Sequence, residues 1–182
     1  MPVKLPQISD VTSYSVSLMW SNPDGYQTSY SYRVQTNVTS SATMIEETIV
    51  ISEAATVMNL TPGETYTFLV YTRAADNITE SDLVSVSTCT DPTPSRILGT
   101  HVQTNSVTLS WSEPVNMSGV NKSYIITYWT KSSPKFTVTS HTTRVTLQNV
   151  TPNSVYSIIV FTVGVREYQS LPISGSVLTK AK

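Results

Sequence analysis

The stretch Leu60-Thr61-Pro62-Gly63-Glu64-Thr65-Tyr66 returns in altered form ninety positions later as Val150-Thr151-Pro152-Asn153-Ser154-Val155-Tyr156. A second landmark, a strand-like run that ends in tryptophan, precedes each copy, at Ser15–Trp20 and at Ser106–Trp111. Two landmarks that repeat with nearly one period indicate two copies of one domain of about ninety residues. This length is typical of a small β-domain and is too long for a solenoid repeat.

We therefore predict two domains, residues 1–90 and 91–182, and the chain is long enough for each to bury its own core. Serine and threonine together number 55 and only 13% of residues are charged, and with frequent valine and tyrosine this composition favours strands over helices. No stretch of ten or more residues has an apolar stripe with helical period, so the sequence predicts an all-β protein. We take Met1 as the expression start of a fragment.

Alternating apolar residues mark the predicted strands in both halves. Val16, Leu18 and Trp20 alternate with polar residues, which indicates a strand with one buried face. The equivalent alternations are Tyr66-Phe68-Val70, Val107-Leu109-Trp111, Tyr124-Ile126-Tyr128 and Tyr156-Ile158-Val160, and shorter strands are predicted at Thr48–Ser52 and Ala55–Leu60. With turn signals between them, about seven strands per half predict two seven-stranded β-sandwiches of immunoglobulin-like type in tandem.

Cys89 is the only cysteine, so no disulfide forms within the chain. This argues against an immunoglobulin domain, in which two cysteines and a tryptophan link the sheets. We interpret Cys89 as a small apolar side chain on the last strand of the first domain. Each sandwich then depends on its apolar core alone, since each buried large aliphatic or aromatic side chain contributes roughly 1.5–3 kcal/mol.

Asn-x-Ser/Thr sequences occur more often than the composition alone predicts. Nine asparagines in a chain this rich in serine and threonine give about three such sites by chance, and the chain has six. They support a secreted or cell-surface protein with N-linked glycans. The predicted glycosylation sites are Asn37, Asn59, Asn77, Asn116, Asn121 and Asn149, of which Asn59 and Asn149 are less favourable because proline follows the threonine.

These landmarks resemble fibronectin type III repeats. The resemblance rests on the tryptophans Trp20 and Trp111, on the Tyr-x-Val strand at Tyr32, and on the Leu-x-Pro-x-x-x-Tyr corner that ends at Tyr66, and it covers nearly the whole chain twice. It implies that the hydroxyl groups of Tyr66 and Tyr156 bond to nearby backbone and lock the turn. The second copy departs from the pattern only mildly, with Val150 where leucine is usual.

The phrases Asn22-Pro23-Asp24-Gly25 and Ser31-Tyr32-Arg33-Val34 resemble the ectodomains of receptor-type protein tyrosine phosphatases. This implies an extracellular, non-catalytic binding and spacer module of a single-pass cell-surface protein, with an extracellular protein or matrix ligand. Two alternatives remain open: a segment of an adhesion or matrix protein with no enzyme attached, and a purely structural spacer. The joint Thr90–Ser95, with two prolines and no glycine, favours a short and semi-rigid connection.

The sequence lacks a constellation of reactive groups. His101 and His141 are isolated and are interpreted as surface histidines, and no glycine-rich phosphate loop or metal-ligand spacing is present. We therefore expect neither enzymatic activity nor a cofactor or metal. No run of about eighteen apolar residues occurs, so we expect no membrane contact by this part of the protein, and no nucleic-acid partner.

Charge is divided unequally between the halves. Residues 1–90 carry three basic and nine acidic side chains, whereas residues 91–182 carry eight basic and three acidic ones. Ordinary sequence divergence between neighbouring repeats is one explanation of this difference in charge. The other is a basic face on the second half that binds a sulfated glycan or an acidic partner. The candidates are Lys122, Lys131, Lys135 and Arg144.

Apolar residues of the second half also occupy positions that the strand period places outside the core. If Tyr124, Ile126 and Tyr128 point inward, then Ile125 and Trp129 point outward, and Ile159 and Phe161 do so on the partner strand. An exposed apolar patch on a soluble domain often marks an interface. We predict that Ile125, Trp129, Ile159 and Phe161 form a partner-binding surface, the alternative being cover by neighbouring side chains.

Overall fold

The computed structural model describes residues 1–96 and 98–182. Backbone contacts divide them into two compact units, unit one (Met1–Asp91) and unit two (Pro92–Lys182). Each unit is a sandwich of a three-stranded and a four-stranded antiparallel sheet. The predicted all-β fold of two tandem sandwiches is confirmed. In the part of the chain that the structure describes, no helix is long and apolar enough to cross a membrane.

Unit one contains seven strands, which pair as the sheets β1-β2-β5 and β4-β3-β6-β7. The strands are β1 (Lys4–Val11), β2 (Val16–Ser21), β3 (Ser31–Val38), β4 (Thr43–Val50), β5 (Ala54–Val57), β6 (Thr65–Arg73) and β7 (Val84–Cys89). The core lies between the sheets, where period-two alternation puts Val16, Leu18 and Trp20 opposite Tyr32, Val34 and Phe68.

Unit two repeats this plan with the sheets β12-β9-β8 and β11-β10-β13-β14. Its strands are β8 (Leu98–Val102), β9 (Ser106–Trp111), β10 (Ser123–Trp129), β11 (Phe136–Ser140), β12 (Arg144–Gln148), β13 (Val155–Val163) and β14 (Ile173–Leu178). A single 3₁₀ turn, Val165–Glu167, precedes the last strand. The core contains Val107, Leu109, Trp111, Tyr124, Ile126, Ile158 and Val160.

One tryptophan–tyrosine pair lies at the centre of each core. The Trp20 and Tyr32 rings meet edge to face with centroids 5.4 Å apart, and the Trp111 and Tyr124 rings do so at 5.3 Å. Both tryptophans are nearly fully buried. Edge-to-face aromatic pairs add about 0.5–1.5 kcal/mol beyond the burial of their area, so this shared pair stabilises both units in the same way.

The tyrosine corner is present in both units. The hydroxyl of Tyr66 accepts a hydrogen bond from the Thr61 amide at 2.9 Å, and the Tyr156 hydroxyl accepts one from the Thr151 amide at 3.0 Å. A threonine after the last strand closes the same loop. In unit two, for example, Thr179 donates to the Thr151 carbonyl at 2.6 Å.

The predicted strand Thr48–Ser52 is wrong in its bounds, since β4 spans Thr43–Val50 and the chain bends after Val50. The strand β4 is the edge of its sheet, and most of its residues are exposed on both faces. An edge strand of this kind has no one-sided apolar alternation, so the period that reveals inner strands is missing here.

Cys89 is fully buried at the end of β7 as a free thiol, and its sulfur lies 3.2 Å from the Thr65 hydroxyl. It packs as the small apolar residue that the sequence predicts.

Candidate functional site

The outer face of the four-stranded sheet in unit two carries a row of apolar side chains. Antiparallel pairing places Ile125 directly opposite Phe161, and Thr127 opposite Ile159. Directly paired residues point to the same side of a sheet, so these side chains share one face. Trp129 lies on this face two residues beyond Thr127, opposite Ser157. We call Ile125, Trp129, Ile159 and Phe161 the apolar strip; all four are half-buried.

Hydroxyl-bearing side chains border the apolar strip on both edge strands. On β11, Thr139 pairs with Ile125 and Thr137 with Thr127. On β14, Ser174 pairs with Ile159, and Ser176 pairs with Ser157. The sheet therefore presents large apolar side chains on its two central strands and small polar ones at its edges, an arrangement typical of interfaces with an apolar centre and a polar rim.

The strip ends in an open groove beside Trp129. The groove has a volume of about 390 Å³, and Trp129, Lys131, Val155 and Ser157 contribute to its lining. The ammonium group of Lys135 lies 4.5 Å from the centroid of the Trp129 ring, within cation–π distance. Val155 is 58% exposed. Sequence reasoning missed Val155, although it continues the odd-numbered outward series of β13 that includes Ser157 and Ile159.

Unit one has a polar network on the equivalent face. Arg33, at the position of Ile125, forms two hydrogen bonds to the carboxylate of Glu80, at 2.8 and 2.6 Å, and one to Glu47 at 3.1 Å. Its guanidinium also lies 4.0 Å from the centroid of the Tyr71 ring, which stands at the position of Phe161. The hydrogen bonding between Arg33 and Glu80 is the main cause that raises the pKa of Arg33, and it is also the main cause that lowers the pKa of Glu80. Arg33, Glu47 and Glu80 thus neutralise one another's charges on this face.

The four predicted basic residues do not form one surface. Lys131 lines the groove beside Trp129, and Lys135 covers the Trp129 ring. Arg144 lies on β12, which belongs to the other sheet. Lys122 is largely buried: its ammonium pairs with Glu113 at 3.0 Å and donates to the carbonyls of Met117 and Val120. Of the four, Lys131 and Lys135 are the two that lie together beside Trp129.

The six predicted glycosylation sites lie at the surface to different degrees. Asn37 is half-buried within β3, whereas the other five are exposed. Four of them, Asn59, Asn77, Asn116 and Asn149, have a positive φ of 56–59°. Asparagine tolerates this left-handed conformation better than most residues, so backbone geometry is a second reason for asparagine at those four positions. Asn121 has no such backbone constraint.

Among the described residues, no group of three or more histidine, cysteine or acidic side chains is arranged to hold a metal ion. His101 is exposed on β8, and His141 is exposed at the bend after β11.

Comparison with known proteins places these features in a family. The fibronectin type III domain family matches residues 1–87 and again residues 92–176. Receptor-type tyrosine-protein phosphatase eta of Gallus gallus is 36% identical over 99 residues, which are 54% of this chain and 7% of that protein. Receptor-type tyrosine-protein phosphatase H of Homo sapiens is 31% identical over 148 residues, 80% of this chain and 13% of that protein.

A solved two-domain fibronectin type III segment from chicken tenascin has a TM-score of 0.73 to this chain at 24% identity, and the match covers 97% of this chain and 99% of the segment. At that identity the likeness concerns the fold alone. The family match covers nearly all of both units, and both units contain the tryptophan strand and the tyrosine corner that suggested the family. The chain therefore belongs to the fibronectin type III family and contains two copies of the domain in tandem.

Proposed function

We propose that this chain is an extracellular, non-catalytic binding segment of a cell-surface receptor, and that the apolar strip of unit two contacts a protein ligand. The observation that carries the proposal is the strip itself. Four large apolar side chains share the outer face of the four-stranded sheet of unit two, and each is only half-buried there. Solvent-accessible apolar area of this kind favours association, at roughly 25 cal/mol for each Å² removed from water.

Trp129 is the expected centre of this contact. Tryptophan is enriched among the interface residues whose truncation costs most binding energy, because it combines a large apolar area with few rotatable bonds. The groove beside Trp129 offers space for a side chain of the partner, and the ammonium of Lys135 lies over the indole ring. A ligand that inserts a side chain there would be held by both apolar contact and shape.

The receptor assignment rests on the two receptor-type phosphatases that the chain resembles. The chain spans only 7% and 13% of their lengths, so anchorage in a membrane and an attached phosphatase domain are parts of the proposal. An adhesion or matrix protein without an attached enzyme is the alternative, and a spacer without a ligand is the second alternative. A transmembrane segment and a phosphatase domain in the parent protein would separate the receptor from the matrix alternative.

A binding comparison of two variants tests the apolar strip. Trp129→Ala should lower the affinity for the ligand on cell surfaces or in matrix extracts by a factor of about 30 or more, the loss expected for an interface hot spot. The matched control is Leu69→Ala, because Leu69 occupies the position of Ile159 on the equivalent face of unit one. Thermal unfolding monitored by circular dichroism verifies that both variants fold. A folded Trp129→Ala protein with unchanged binding would show that the apolar strip does not contact the ligand.

A sulfated glycan is a second candidate ligand, supported by Lys131 and Lys135 beside the groove. Elution from immobilised heparin measures this interaction, since such binding weakens as salt screens the charges. The double variant Lys131→Gln/Lys135→Gln should elute at a lower salt concentration than the parent protein. Arg144→Gln, which alters the other sheet, is the control and should elute unchanged. Equal shifts per charge removed in the two variants would indicate dependence on net charge and not on this site.

A further inference from the structure

The hydroxyl group of Tyr124 is buried in unit two and has no hydrogen-bond partner among the described residues. Its counterpart in unit one, Tyr32, donates a hydrogen bond to the side-chain oxygen of Asn22. A buried hydroxyl that lacks a partner destabilises the folded state, because it has lost its hydrogen bonds to water. The Tyr124 hydroxyl therefore takes its partner from outside the chain, either a water molecule or a group of a ligand.

Glu113 explains why that partner is missing. It occupies the position of Asn22, two residues after the core tryptophan, but its carboxylate bonds to the ammonium of Lys122 at 3.0 Å. Lys122 is held in place by the carbonyls of Met117 and Val120. Burial, and to a lesser degree the Glu113 charge, raises the pKa of Tyr124 to about 12, so the hydroxyl remains a donor at neutral pH.

An open groove of about 360 Å³ lies against this tyrosine. Its lining consists of Glu113, Lys122, Tyr124, His141, Thr142 and Thr143. A smaller adjoining groove of about 170 Å³ is also lined by Lys122 and His141, and Asn121 lies on its wall. The two grooves thus have Lys122 and His141 as common wall residues. Tyr124 points inward from β10, away from the apolar strip, so this site is distinct from the proposed protein-binding face.

The lining determines which chemistry fits the groove. Glu113 disfavours an anion and Lys122 disfavours a cation, because each retains its charge within the ion pair. The side chain of Glu113 is 62% exposed, so its carboxylate can accept a further hydrogen bond. A ligand hydroxyl can accept from Tyr124 and donate to Glu113 at the same time. A neutral molecule with several hydroxyl groups, such as a sugar, meets both requirements.

We propose that this groove binds a neutral sugar, with one hydroxyl bridging Tyr124 and Glu113, and that the sugar belongs to an N-linked glycan on Asn121. Asn121 begins an Asn-Lys-Ser site and is exposed. Three extended residues span about 10 Å, so the first sugars attached to Asn121 reach Tyr124. The glycan as the source rests on the extracellular location proposed above, whereas sugar binding by the groove does not.

The first experiment uses the chain secreted from animal cells, with its N-linked glycans intact. Loss of the Asn121 glycan through Asn121→Gln should lower the unfolding temperature of unit two by about 4 °C, as expected for one or two lost hydrogen bonds in a domain of this size. In a Tyr124→Phe background the same change should have no effect. Ser118→Ala, which removes only the site at Asn116, is the control and should leave the unfolding temperature unchanged.

The second experiment uses unmodified protein from bacteria and the disaccharide diacetylchitobiose as the probe. Saturable changes in the amide resonances of Tyr124, His141 and Thr142 are expected, and they should vanish in Tyr124→Phe. Glu113→Asn recreates the unit-one pair and gives Tyr124 an internal partner, so it should also abolish the response. This variant keeps the test informative if the phenylalanine variant folds poorly.

The two experiments separate the sources of the sugar. Stabilisation by the Asn121 glycan that depends on Tyr124 supports the proposal in full. Disaccharide binding without such stabilisation supports the groove as a sugar site and indicates that the sugar belongs to a glycan on another molecule. A protein that shows neither effect, whether or not Asn121 carries a glycan, overturns the proposal and leaves the apolar strip untouched.

Discussion

The outer sheet faces of the two units differ although their cores are nearly the same. In unit one, Arg33 joins Glu47 and Glu80 in an ion-pair network. In unit two, Ile125 stands where Arg33 does, and it lies directly opposite Phe161. The comparison teaches that the fold depends on the inward positions of β10 and β13 and their counterparts, while the outward positions are free to acquire a function.

Ile158 and Ile159 test this division between the two faces most strongly. Ile158→Ala should reduce the free energy of unfolding of unit two by about 2–5 kcal/mol, because it leaves a cavity in the core. Ile158 is 1% exposed, whereas Ile159 is half-buried on the opposite face. Denaturant unfolding followed by the amide resonances of each unit measures the loss.

Ile159→Ala is the matched control, with the same atoms removed one position away. It should change the free energy of unfolding by less than about 1 kcal/mol, since the substituted side chain remains in contact with water. Similar losses in the two variants would mean that the outer face is part of the folding core, and the distinction between core and binding surface would fail.

The tyrosine corner should behave alike in both units, because the geometry of its hydrogen bond is the same. Tyr66→Phe and Tyr156→Phe each remove the acceptor of one backbone amide, at Thr61 or Thr151. The expected loss is about 1–3 kcal/mol in the unit that carries the substitution. Unit-specific hydrogen exchange measures it. A much larger loss of stability in one unit than in the other would show that the tyrosine corner contributes unequally to the two units.

Sequence alone predicts the fold because the period-two pattern reports the core directly. The alternation of Val107, Leu109 and Trp111 fixes which face of β9 is buried, and the repeated corner marks the start of β6 and β13. The same parity rule also identifies Ile125 and Trp129 as outward. These inferences are local: they require only the direction of a side chain relative to its strand neighbours.

The remaining features depend on contacts between residues distant in sequence. The engagement of Lys122 by Glu113 cannot be read from a charge count, so the sequence could not separate Lys122 from the lysines beside Trp129. The separation of Arg144 from Lys135 follows from strand order, which the sequence pattern does not specify. The Tyr124 groove was missed because it depends on a missing hydrogen bond, although the change from Asn22 to Glu113 between the repeats was a visible signal.

The polar network of unit one should make its stability depend on acidity. Hydrogen bonding to Arg33 lowers the pKa of Glu80 below its ordinary value of 4.5, and hydrogen bonds from Thr79 and Ile78 lower the pKa of Asp76 to about 2. A lowered folded-state pKa stabilises the protein above the unfolded-state pKa, and that contribution disappears as the pH falls through the folded-state value. Unit one should therefore lose stability between about pH 4.5 and pH 2.

Asp91 acts in the opposite direction, since burial raises its pKa, and the nearby Asp10 adds to the shift. It therefore offsets part of the loss as the pH falls. The measurement is denaturant unfolding of unit one at several pH values in the parent and in Arg33→Ala. The substitution should reduce the dependence of the free energy of unfolding on pH that Glu80 contributes. An unchanged profile in Arg33→Ala would show that the network does not govern the acid sensitivity.

The smallest expected effect concerns the contact between Lys135 and the Trp129 ring. Lys135 is exposed, and cation–π contacts at exposed sites contribute about 0.5–1 kcal/mol. Lys135→Met keeps a chain of similar length and removes the charge, so unit two should lose no more than this amount, and the fluorescence of Trp129 should change as its ring reorients. Lys131→Met, which removes a neighbouring charge not stacked on the indole, should leave both unchanged. If the two substitutions have the same effect, the apolar neighbours of Trp129 orient its indole ring, and Lys135 does not. The outer face of unit two then differs from that of unit one in its hydrophobic contacts and not in the placement of its charges.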